Sequence, residues 1–443
     1  MKKMISGLLI ASMLMALPTG CASQKKSAAP TTSTGVASSE TPGPSTAGNG
    51  AKTEKRNNGK QALFELKQMQ AAKTSMSDEE LRKAYSEFVL GVMKRCINES
   101  QGENVLISAD SILFALEMTA AGADGDTLKQ MTQTMVPGAE NTEALQFALE
   151  RMKNLQNNSL KIANSIWLNE AKVAHVYDDY LTFVKGNFDA GVDALAFGPA
   201  AEAAINKWVE EKTEGRIKDL VKDLSSEGLM VLVNAIAFDG KWVKTYSDDH
   251  IYTGSFTNAD GSKQDVTFLS GEEQVYLNNG KASGFLKNYD DGKYAFMTIL
   301  PDDEKADINQ FVADMTAEEY WAFWNSQTTE WEVSTVFPEF KNEYQANLNN
   351  ILIDMGMKDA FDPDKADFSN MAKTMPYIST VMHKTFIDVD RAGTKAAAAT
   401  AVVMNDSCAA PSEKSVICNR PFAYAIVDRD TGLAVFLGTV EKL

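Results

Sequence analysis

The sequence contains few histidines that could act in catalysis, and it does not contain the common active-site motifs of hydrolases. The 443 residues include only three histidines, which are His175, His250 and His383. The Gly-x-Ser-x-Gly elbow of a serine hydrolase and the His-Glu-x-x-His pair of a zinc protease are both missing from the sequence. A Ser-His-Asp triad built from distant residues stays open, since such groups need only meet in space. These observations favour a protein that is not an enzyme.

The acidic clusters of the chain do not have the pattern of a metal site. The stretches YDDG and LPDDEKAD do not place a glycine and a terminal glutamate as a calcium-binding loop does. We interpret them as solvated turns. The sequence predicts neither a metal nor another cofactor.

The overall charge limits the possible partners. Sixty acidic and 43 basic residues give a formal charge of −17 at pH 7. An acidic surface repels the phosphates of nucleic acids and of anionic membranes. Neither is expected as the main partner, although a basic cleft would not be visible in this total.

The first 20 residues have the features of a signal peptide. Lys2 and Lys3 precede the apolar run LLIASMLMAL, which is too short to span a bilayer and anchor there. The following Thr19-Gly20-Cys21 resembles the end of a bacterial lipoprotein signal, in which the thiol receives the lipid. We expect an extracellular or cell-surface protein that contacts the membrane only through a lipid anchor at Cys21. The alternative is ordinary secretion with this cysteine free or removed.

Residues 21–70 have the composition of a tether. Ser, Thr, Ala, Gly and Pro dominate from Ala22 to about Lys60, and such a stretch cannot bury enough apolar surface to fold. The folded domain is predicted to comprise residues 71–443, without a break that would divide it. Apolar residues make up 44% of the chain, which is enough for one large core.

The remaining cysteines do not form a disulfide framework. Cys96, Cys408 and Cys418 are odd in number and lack the spacing of metal ligands. Cys408 and Cys418 can pair in an oxidising environment, and the sequence leaves that question open.

The folded region begins with helices and continues mainly with strands. In SDEELRKAYSEFVLGVMKRCI the apolar residues recur at helical spacing, and Ser77 with Glu80 predicts a capping box. INKWVEEKTEGRIKDLV and NLNNILIDMGM are also predicted to be helical. Strands are predicted for SLKIANSIWLNE, LMVLVNAIAFDGKW, YAFMTILP, VSTVFPEF and YISTVMHKTFIDVD. The fold class is therefore α+β, with at least one large antiparallel or mixed sheet.

One stretch near the C-terminus carries conflicting signals. GTKAAAATAVVM, from Gly393 to Met404, contains four consecutive alanines, which favour a helix, together with threonines and valines, which favour a strand. No charged residue follows Lys395 within it, and the next proline is Pro411. Its side chains are therefore compatible with helix, loop or strand.

Ten stretches, spread in order from about residue 104 to residue 440, together resemble the serpin family of protease inhibitors. Each is a weak signal alone, but ten in the family's order are specific. They are NVLISADSILFALEMTAAGADGDT, IANSIWLNE, INKWVEEKTEGRIKDLV, VLVNAIAFDGKW, YAFMTILP, VSTVFPEFKNEY, KADFSNM, STVMHKTFIDVD, GTKAAAATAVV and RPFAYAIVDRDTGLAVFLGTV.

The resemblance implies a serpin fold of about nine helices around three β-sheets, with an exposed reactive-centre loop. In inhibitory members a target protease cleaves this loop and remains acyl-linked to it. The hinge before the cut then inserts as a new central strand of the main sheet and carries the protease to the opposite pole, where its active site is distorted. Such a protein is a suicide inhibitor, and we expect a monomer that uses no cofactor.

The stretch that matches the hinge has the composition that insertion requires. A strand alternates its faces, so every second residue must enter a packed core. Small or medium uncharged residues fill one alternate row from Thr394 to Met404, and the only charge, on Lys395, lies in the other row. Alanine also avoids overpacking between two existing strands. The matching hinge residues are Gly393, Thr394, Lys395, Ala396, Ala397, Ala398, Ala399 and Thr400.

The resemblance also implies a cluster under the main sheet, the shutter, that controls its opening. The matching residues are Ser108, Ser111, Asn234 and His383, and Ala109 replaces the family's usual proline. For His383 a role as a buried core histidine is favoured over a role as a catalytic base.

A second cluster, the breach, is implied at the top of the main sheet. Trp242 matches its buried tryptophan. The glutamate and lysine that usually form an ion pair beside it are replaced by Arg391 and Glu339, so both signs are exchanged. A reversed pair keeps the attraction, and we therefore predict that these two side chains are in contact.

The family pattern also suggests which bond is attacked. The residue presented to the protease usually lies fourteen positions beyond the hinge glycine, which selects Ser407 with Cys408 after it, while positions from Met404 to Ala410 stay open. No basic residue occurs between Met404 and Lys414, which disfavours a trypsin-like target.

The predicted partner is therefore an elastase-like serine protease, with a cysteine protease as one alternative. The other alternative is a non-inhibitory serpin-fold binding protein. Its usual mark, charged or bulky residues in the core-facing row of the hinge, is not found in this sequence.

Overall fold

The computed structural model describes residues 75–100, 102–394 and 414–443. This part of the chain contains nine α-helices, and none of them is both long and apolar enough to cross a lipid bilayer. In chain order they are α1 (Asp78–Ser100), α2 (Ala109–Ala120), α3 (Gly125–Met135), α4 (Asn141–Leu155), α5 (Asp178–Phe188), α6 (Pro199–Lys212), α7 (Ile308–Ala313), α8 (Ala317–Trp324) and α9 (Asn349–Asp354).

Seventeen strands occur in the same part of the chain. They are β1 (Leu106–Ile107), β2 (Leu160–Asn169), β3 (Gly191–Leu195), β4 (Met230–Phe238), β5 (Gly240–Lys241), β6 (Ile251–Thr257), β7 (Lys263–Glu273), β8 (Val275–Asn278), β9 (Ala282–Asn288), β10 (Tyr294–Pro301), β11 (Val333–Pro338), β12 (Phe340–Asn347), β13 (Met382–Val389), β14 (Gly393–Thr394), β15 (Lys414–Ile417), β16 (Phe422–Asp428) and β17 (Ala434–Val440).

In two of the sheets, each strand is hydrogen-bonded to the next without interruption. One has the strand order β1-β17-β16-β10-β9-β8, and the other has the order β15-β11-β7-β6. Every residue of β10, β16 and β17 is buried, which explains why these segments are mostly apolar in the sequence.

The main sheet consists of two parts, with the orders β12-β13-β14-β5 and β3-β2-β4. The parts share a strand path, because β4 ends at Phe238 and β5 begins at Gly240. The α+β class predicted from the sequence is confirmed.

The two parts of the main sheet meet at one end. There β14 lies between β13 and β5 and is antiparallel to both, with Thr394 paired to Val389 on one side and to Gly240 on the other. Among the described residues, no backbone pairing links β13 to β4. We call the interval between β4 and β13 the central gap, and the end at β14 its top.

The two faces of β4 pack against different clusters. Ile236 and Phe238 belong to the large core, in which α2 packs under the sheet. Val233 and Ala235 belong to a smaller cluster with Ile205 of α6 on the other face. This alternation is the period of two that a strand requires, and it identifies the even-numbered residues of β4 as those facing the large core.

Helix starts follow the predicted capping chemistry. Ser77 Oγ accepts a hydrogen bond from the Glu80 N–H (3.3 Å), and the Glu80 carboxylate accepts one from the Ser77 N–H (2.7 Å). These bonds satisfy backbone donors that the first turn of a helix leaves unpaired.

The helical prediction for INKWVEEKTEGRIKDLV is wrong in its second half. α6 ends at Lys212, and the chain continues to β4 without regular structure. Glu214 (φ 53°) and Gly215 (φ 80°) have left-handed backbone conformations, which end a right-handed helix. We call residues 213–225 the strap.

Candidate functional site

The first two hinge residues occupy the top of the central gap. The Thr394 side chain is 1% exposed, and its hydroxyl lies 2.6 Å from the hydroxyl of Tyr289 in a hydrogen bond. Gly393 fits because it has no side chain, since a Cβ atom there would lie 2.1 Å from the Gly240 carbonyl oxygen. The side chain of Thr394 thus faces the core.

Trp242 anchors the turn that precedes the hinge. Its buried ring stacks on Tyr289 with 4.5 Å between the ring centroids, and its Nε1–H donates to the Asp390 carbonyl at 2.9 Å. The Trp242 N–H donates to the Ala392 carbonyl at 3.0 Å. Both bonds tie the turn between β13 and β14 to the strand path of β5.

A buried ion pair that sequence reasoning missed supports Trp242. Lys287 Nζ lies 2.7 Å from a carboxylate oxygen of Glu273, and both side chains are largely buried. The ammonium group also lies over two aromatic rings, 4.4 Å from the centroid of Tyr246 and 5.4 Å from that of Trp242. Burial lowers the pKa of Lys287, and the neighbouring Glu273 opposes this shift. The ion pair and the two rings therefore form one buried cluster beneath the top of the gap.

Glu339 and Arg391 are in contact on the rim of this cluster. The backbone N–H of Arg391 donates to Glu339 Oε1 at 3.1 Å, and the guanidinium Nε lies 3.9 Å from the same oxygen. The shorter ionic contact of Arg391 is with Asp248, at 2.8 Å. The guanidinium therefore joins two carboxylates, and the backbone bond adds a reason for an acidic residue at position 339.

Three of the four predicted shutter residues lie together under the main sheet. The Ser108 N–H donates to Nε2 of His383 at 3.2 Å. Ser108 is the N-cap of α2, and its hydroxyl accepts from the Ser111 N–H at 3.4 Å. The cap forms with Ala109 in place of proline at the first helical position. Burial lowers the pKa of His383 to about 4, so the imidazole is neutral at pH 7.

Asn234, the fourth predicted residue, bonds to a different partner. Its Nδ2 donates to Oδ1 of Asn164 on the neighbouring strand β2 at 2.7 Å. Asn164 in turn donates from Nδ2 to the Phe188 carbonyl at 2.7 Å. Oδ1 of Asn234 is buried and has no hydrogen-bond partner. Asn164 could have been found from the sequence, because it lies in the middle of a predicted strand and asparagine is depleted in strands.

The strap connects both sides of the central gap on the face opposite the shutter. Lys384 Nζ on β13 donates to the Lys218 carbonyl at 2.9 Å, and Arg216 Nη2 donates to Asp239, between β4 and β5, at 2.7 Å. Ile217 and Leu220 of the strap are buried in the smaller cluster. The strap therefore covers the gap that an inserted strand would occupy.

Several predicted residues lie outside the described part of the chain. They are Cys21, Lys395, Ala396, Ala397, Ala398, Ala399, Thr400, Ser407 and Cys408, together with the predicted signal peptide and tether. Cys418 is described and is a free, buried thiol, whose pKa burial raises to about 12. Within residues 75–100, 102–394 and 414–443, no three His, Cys, Asp or Glu side chains are grouped as ligands for a metal ion.

Comparison with known proteins gives a consistent result. A family model described as serpin (serine protease inhibitor) matches residues 83–443. A serpin-like protein of Methanosarcina acetivorans is 30% identical, with 86% of this chain and 91% of that protein covered. Human Serpin B8 is 31% identical, with 81% and 98% covered. The crystal structure of tengpin, a thermophilic serpin, in its native state is similar with a TM-score of 0.75 and 35% identity, with 84% of this chain and 96% of that chain covered.

Proposed function

The chain belongs to the serpin family, and we propose that it is an inhibitory member, which traps a protease covalently and inserts its cleaved loop into the central gap. The observation that carries this proposal is the position of Thr394. It is already paired as a strand residue between β13 and β5, with its side chain in the core. Insertion would lengthen β14, which already pairs with both neighbouring strands, so no new strand would have to be started in the sheet.

The face of the strand on which Thr394 lies determines which other hinge residues would be buried. Side chains two residues apart lie on the same face of a strand, so Ala396, Ala398 and Thr400 would follow Thr394 into the core. Lys395 would lie on the other face. The sequence thus places no charge in the buried row, which is the condition for rapid insertion because an unpaired buried charge is costly.

The proposed reaction is an interrupted proteolysis. The hydroxyl oxygen of the protease's serine attacks the Ser407 carbonyl carbon, and the peptide bond to Cys408 breaks. The proton lost by the hydroxyl passes to the Cys408 nitrogen, which leaves as a free amine. The carbonyl carbon is then held as an ester to the protease while the hinge inserts. We propose an elastase-like serine protease as the target, because the residues around Ser407 are small and uncharged apart from Asp406.

A denaturing gel tests the proposal directly. The protein is incubated with pancreatic or neutrophil elastase, and a band near the summed mass of protease and inhibitor is expected. Cleavage products without that band would support a non-inhibitory serpin. A complex with papain but not with elastase would instead identify a cysteine protease as the target.

A matched pair of variants separates insertion from simple loop binding. Ala396→Arg places a cation in the proposed buried row, and Ala397→Arg places the same cation in the outward row. We expect the Ala397 variant to form the covalent complex and the Ala396 variant to be cleaved without trapping. Equal trapping by the two variants would contradict the proposed mode of insertion.

We also propose that the protein acts outside the cell while anchored to it through lipid on Cys21. Support comes from the order of charged, apolar and small residues before Cys21. Expression of the full chain in a bacterium that processes lipoproteins should place it in the membrane fraction, and Cys21→Ser should release it. Equal fractionation of both forms would contradict the anchor.

A further inference from the structure

The sheet with the strand order β15-β11-β7-β6 packs against the core on one side. Thr335, Phe337 and Val416 are buried, and the Phe337 ring contacts the rings of Trp242 and Tyr246. The residues that alternate with the buried ones are partly or fully exposed, and they are Ser334, Val336, Ser415 and Ile417. Because side chains alternate between the two sides of a strand, these residues lie on the side of the sheet that faces away from the core.

The strand registers extend this side across all four strands. Val336 is paired with Ile417 of β15 and with Ser270 of β7. Phe268 lies two residues before Ser270, and thus on the same side, and it is paired with Tyr252 of β6. Paired residues have their side chains on the same side of a sheet. We call this side the exposed face, and its residues include Tyr252, Ser270, Glu272, Val336, Ser415 and Ile417.

Two large apolar side chains are accessible on the exposed face. Ile417 is 45% exposed, and Tyr252 is 48% exposed. The Tyr252 ring stacks on the buried ring of Phe268, with 5.7 Å between the ring centroids, which limits its orientation. Four strands at the usual spacing place the two side chains about 15 Å apart across the sheet. Apolar groups at this separation suit a protein partner, which has a wider contact surface than a small molecule.

The surroundings of these two side chains are acidic. Residues 243–273, 330–339 and 414–420, which form the sheet and its ends, include nine acidic and four basic side chains. Glu272 is exposed on the face itself, and Asp248 and Asp249 are exposed just before β6. Lys414 at the start of β15 has its ammonium group over the ring of Trp331, 4.8 Å from the centroid. The exposed face therefore presents apolar groups in a predominantly negative environment.

The exposed face adjoins the segment that a target protease would cut. β15 begins at Lys414, seven residues after Ser407, and a chain of that length spans at most about 25 Å. A protease domain of roughly 200 residues has a diameter of about 40 Å. A protease bound at Ser407 would therefore be wide enough to reach the exposed face.

We propose that the exposed face is a docking surface for the target protease, and that this protease is cationic. The inference rests on the proposed inhibitory function and specifies the partner of the same loop. Tyr252 and Ile417 would contact apolar groups of the protease, while Glu272 and the neighbouring carboxylates would attract its basic surface. The formal charge of −17 would add attraction at longer range. Docking would raise the rate of encounter and would take no part in cleavage or insertion.

A matched pair of charge reversals tests the electrostatic part. Glu272→Lys changes the exposed face, and Glu87→Lys makes the same change at an exposed position in α1, which packs against other helices. The rate constant for covalent complex formation with neutrophil elastase, a cationic serine protease, is measured at about 50 and 200 mM NaCl. We expect Glu272→Lys to lower it about three- to tenfold at low salt and less at high salt, and Glu87→Lys to change it by less than about twofold. Equal rate constants for the two variants would overturn the proposal.

The apolar contacts are tested by Tyr252→Ala and Ile417→Ala. Each should lower the same rate constant about fivefold or more, whereas Met375→Ala, at a site that is 74% exposed and distant in sequence from this sheet, should not. Tyr252→Phe keeps the ring and should remain close to wild type. The number of inhibitor molecules consumed per trapped elastase should stay constant, because that ratio is decided after cleavage. A changed ratio with an unchanged rate constant would assign the residues to insertion and overturn the proposal.

Binding of an inactive elastase separates this inference from the proposed function. An elastase with its nucleophilic serine replaced by alanine cannot be acylated, so its affinity for wild type and for Glu272→Lys reports docking alone. If this protein bound wild type more tightly than the variant, but active elastase formed no covalent complex, inhibition would be disproved and docking would stand. If active elastase were trapped equally fast by wild type, Glu272→Lys and Tyr252→Ala, only docking would be disproved. A dimer of the chain that Tyr252→Ala dissociates would show that a second copy covers the exposed face, which would also overturn the proposal.

Discussion

The top and the middle of the central gap differ in whether the polar side chains on the strands that flank it have hydrogen-bond partners. At the top, the Thr394 hydroxyl bonds to Tyr289, and Trp242 bonds to the Asp390 carbonyl. In the middle, Asn234 Oδ1 has no partner, although Ser108 and His383 are bonded to each other. The hydroxyl of the hinge residue at the top therefore has a partner, whereas a side-chain acceptor further along the central gap has none.

The top and the middle of the central gap also differ on the face opposite the shutter. The strap crosses the middle of the gap and bonds to Lys384 of β13. Glu214, Asp219 and Asp223 of the strap have positive φ angles of 53°, 53° and 55°. Residues other than glycine rarely adopt such angles, so the strap is under backbone strain. Opening the middle would require this strained segment to move, whereas Gly393 and Thr394 need no such movement.

The largest expected effect follows from placing a charge at the top. Thr394→Arg would bury an unpaired cation at a site that is 1% exposed, at a cost of several kcal/mol. We expect the variant to be cleaved by elastase without forming a covalent complex. Thr394→Val, which only leaves Tyr289 unpaired, should lose about 1 kcal/mol of stability. Undiminished trapping by the Arg variant would refute the buried position of this row.

The middle of the gap should respond to pH through His383. Its pKa is about 4 in the folded protein and near 6.5 when unfolded, so between these values the unfolded chain binds a proton that the folded one does not. Stability should therefore fall as the pH is lowered from about 6.5 to 4, by on the order of 3 kcal/mol in total.

Urea denaturation of wild type and of His383→Gln between about pH 6.5 and pH 4 measures the contribution of His383 as the difference between their losses of stability. Glu117 must be present in both proteins, because burial raises its pKa to about 8 and gives it the opposite slope. The wild type should lose more stability than the variant on acidification. Parallel curves would exclude His383 as the source.

Sequence reasoning succeeded where the pattern is local. The structure contains the predicted helix cap at Ser77 and the main predicted strands, and it is of the α+β class. These predictions depend on periodicity or on residues within one helical turn. It failed for the strap, because Lys-Thr-Glu-Gly-Arg has mostly good helix formers and one glycine was the only sign of a break.

The missed partners of the site depend on contacts that are distant in the sequence. Tyr289 contacts Thr394 across 105 residues of sequence, and Lys287 of β9 contacts Glu273 of β7, which is a strand of a different sheet. In the sequence Lys287 resembles any polar residue of a half-exposed strand. Its burial can be seen only once Trp242 and Tyr246 are placed around it.

A smaller effect is expected from a single methyl group at the top. Gly393→Ala would place its Cβ 2.1 Å from the Gly240 carbonyl oxygen, and backbone atoms cannot move aside as a side chain can. We expect a loss of about 1–3 kcal/mol in the stability of the uncleaved protein, measured by urea denaturation. Gly186→Ala is the matched control, since nothing lies within 4 Å of the added atom and α5 should gain stability there. Similar losses at both positions would show that the top is not tightly packed.

The smallest effect concerns the ion pair on the rim. The side chain of Arg391 is 47% exposed, so a double-mutant cycle of Arg391→Ala and Glu339→Ala should give a coupling energy below about 1 kcal/mol. Glu339→Ala should cost more than Arg391→Ala, because Glu339 also accepts the Arg391 backbone N–H.

The exchange of signs can then be tested with Arg391→Glu and Glu339→Lys together in an Asp248→Asn background, which removes the second carboxylate that Arg391 contacts. This double variant keeps an attractive pair but leaves the backbone N–H of residue 391 without its carboxylate acceptor, since an ammonium group cannot accept a hydrogen bond. It should therefore be less stable in urea denaturation than the Asp248→Asn protein that carries Arg391 and Glu339, even though residues 339 and 391 keep opposite charges. Equal stability would mean that the attraction alone decides which residue occupies position 339, and that the backbone bond contributes nothing to holding the turn before the hinge.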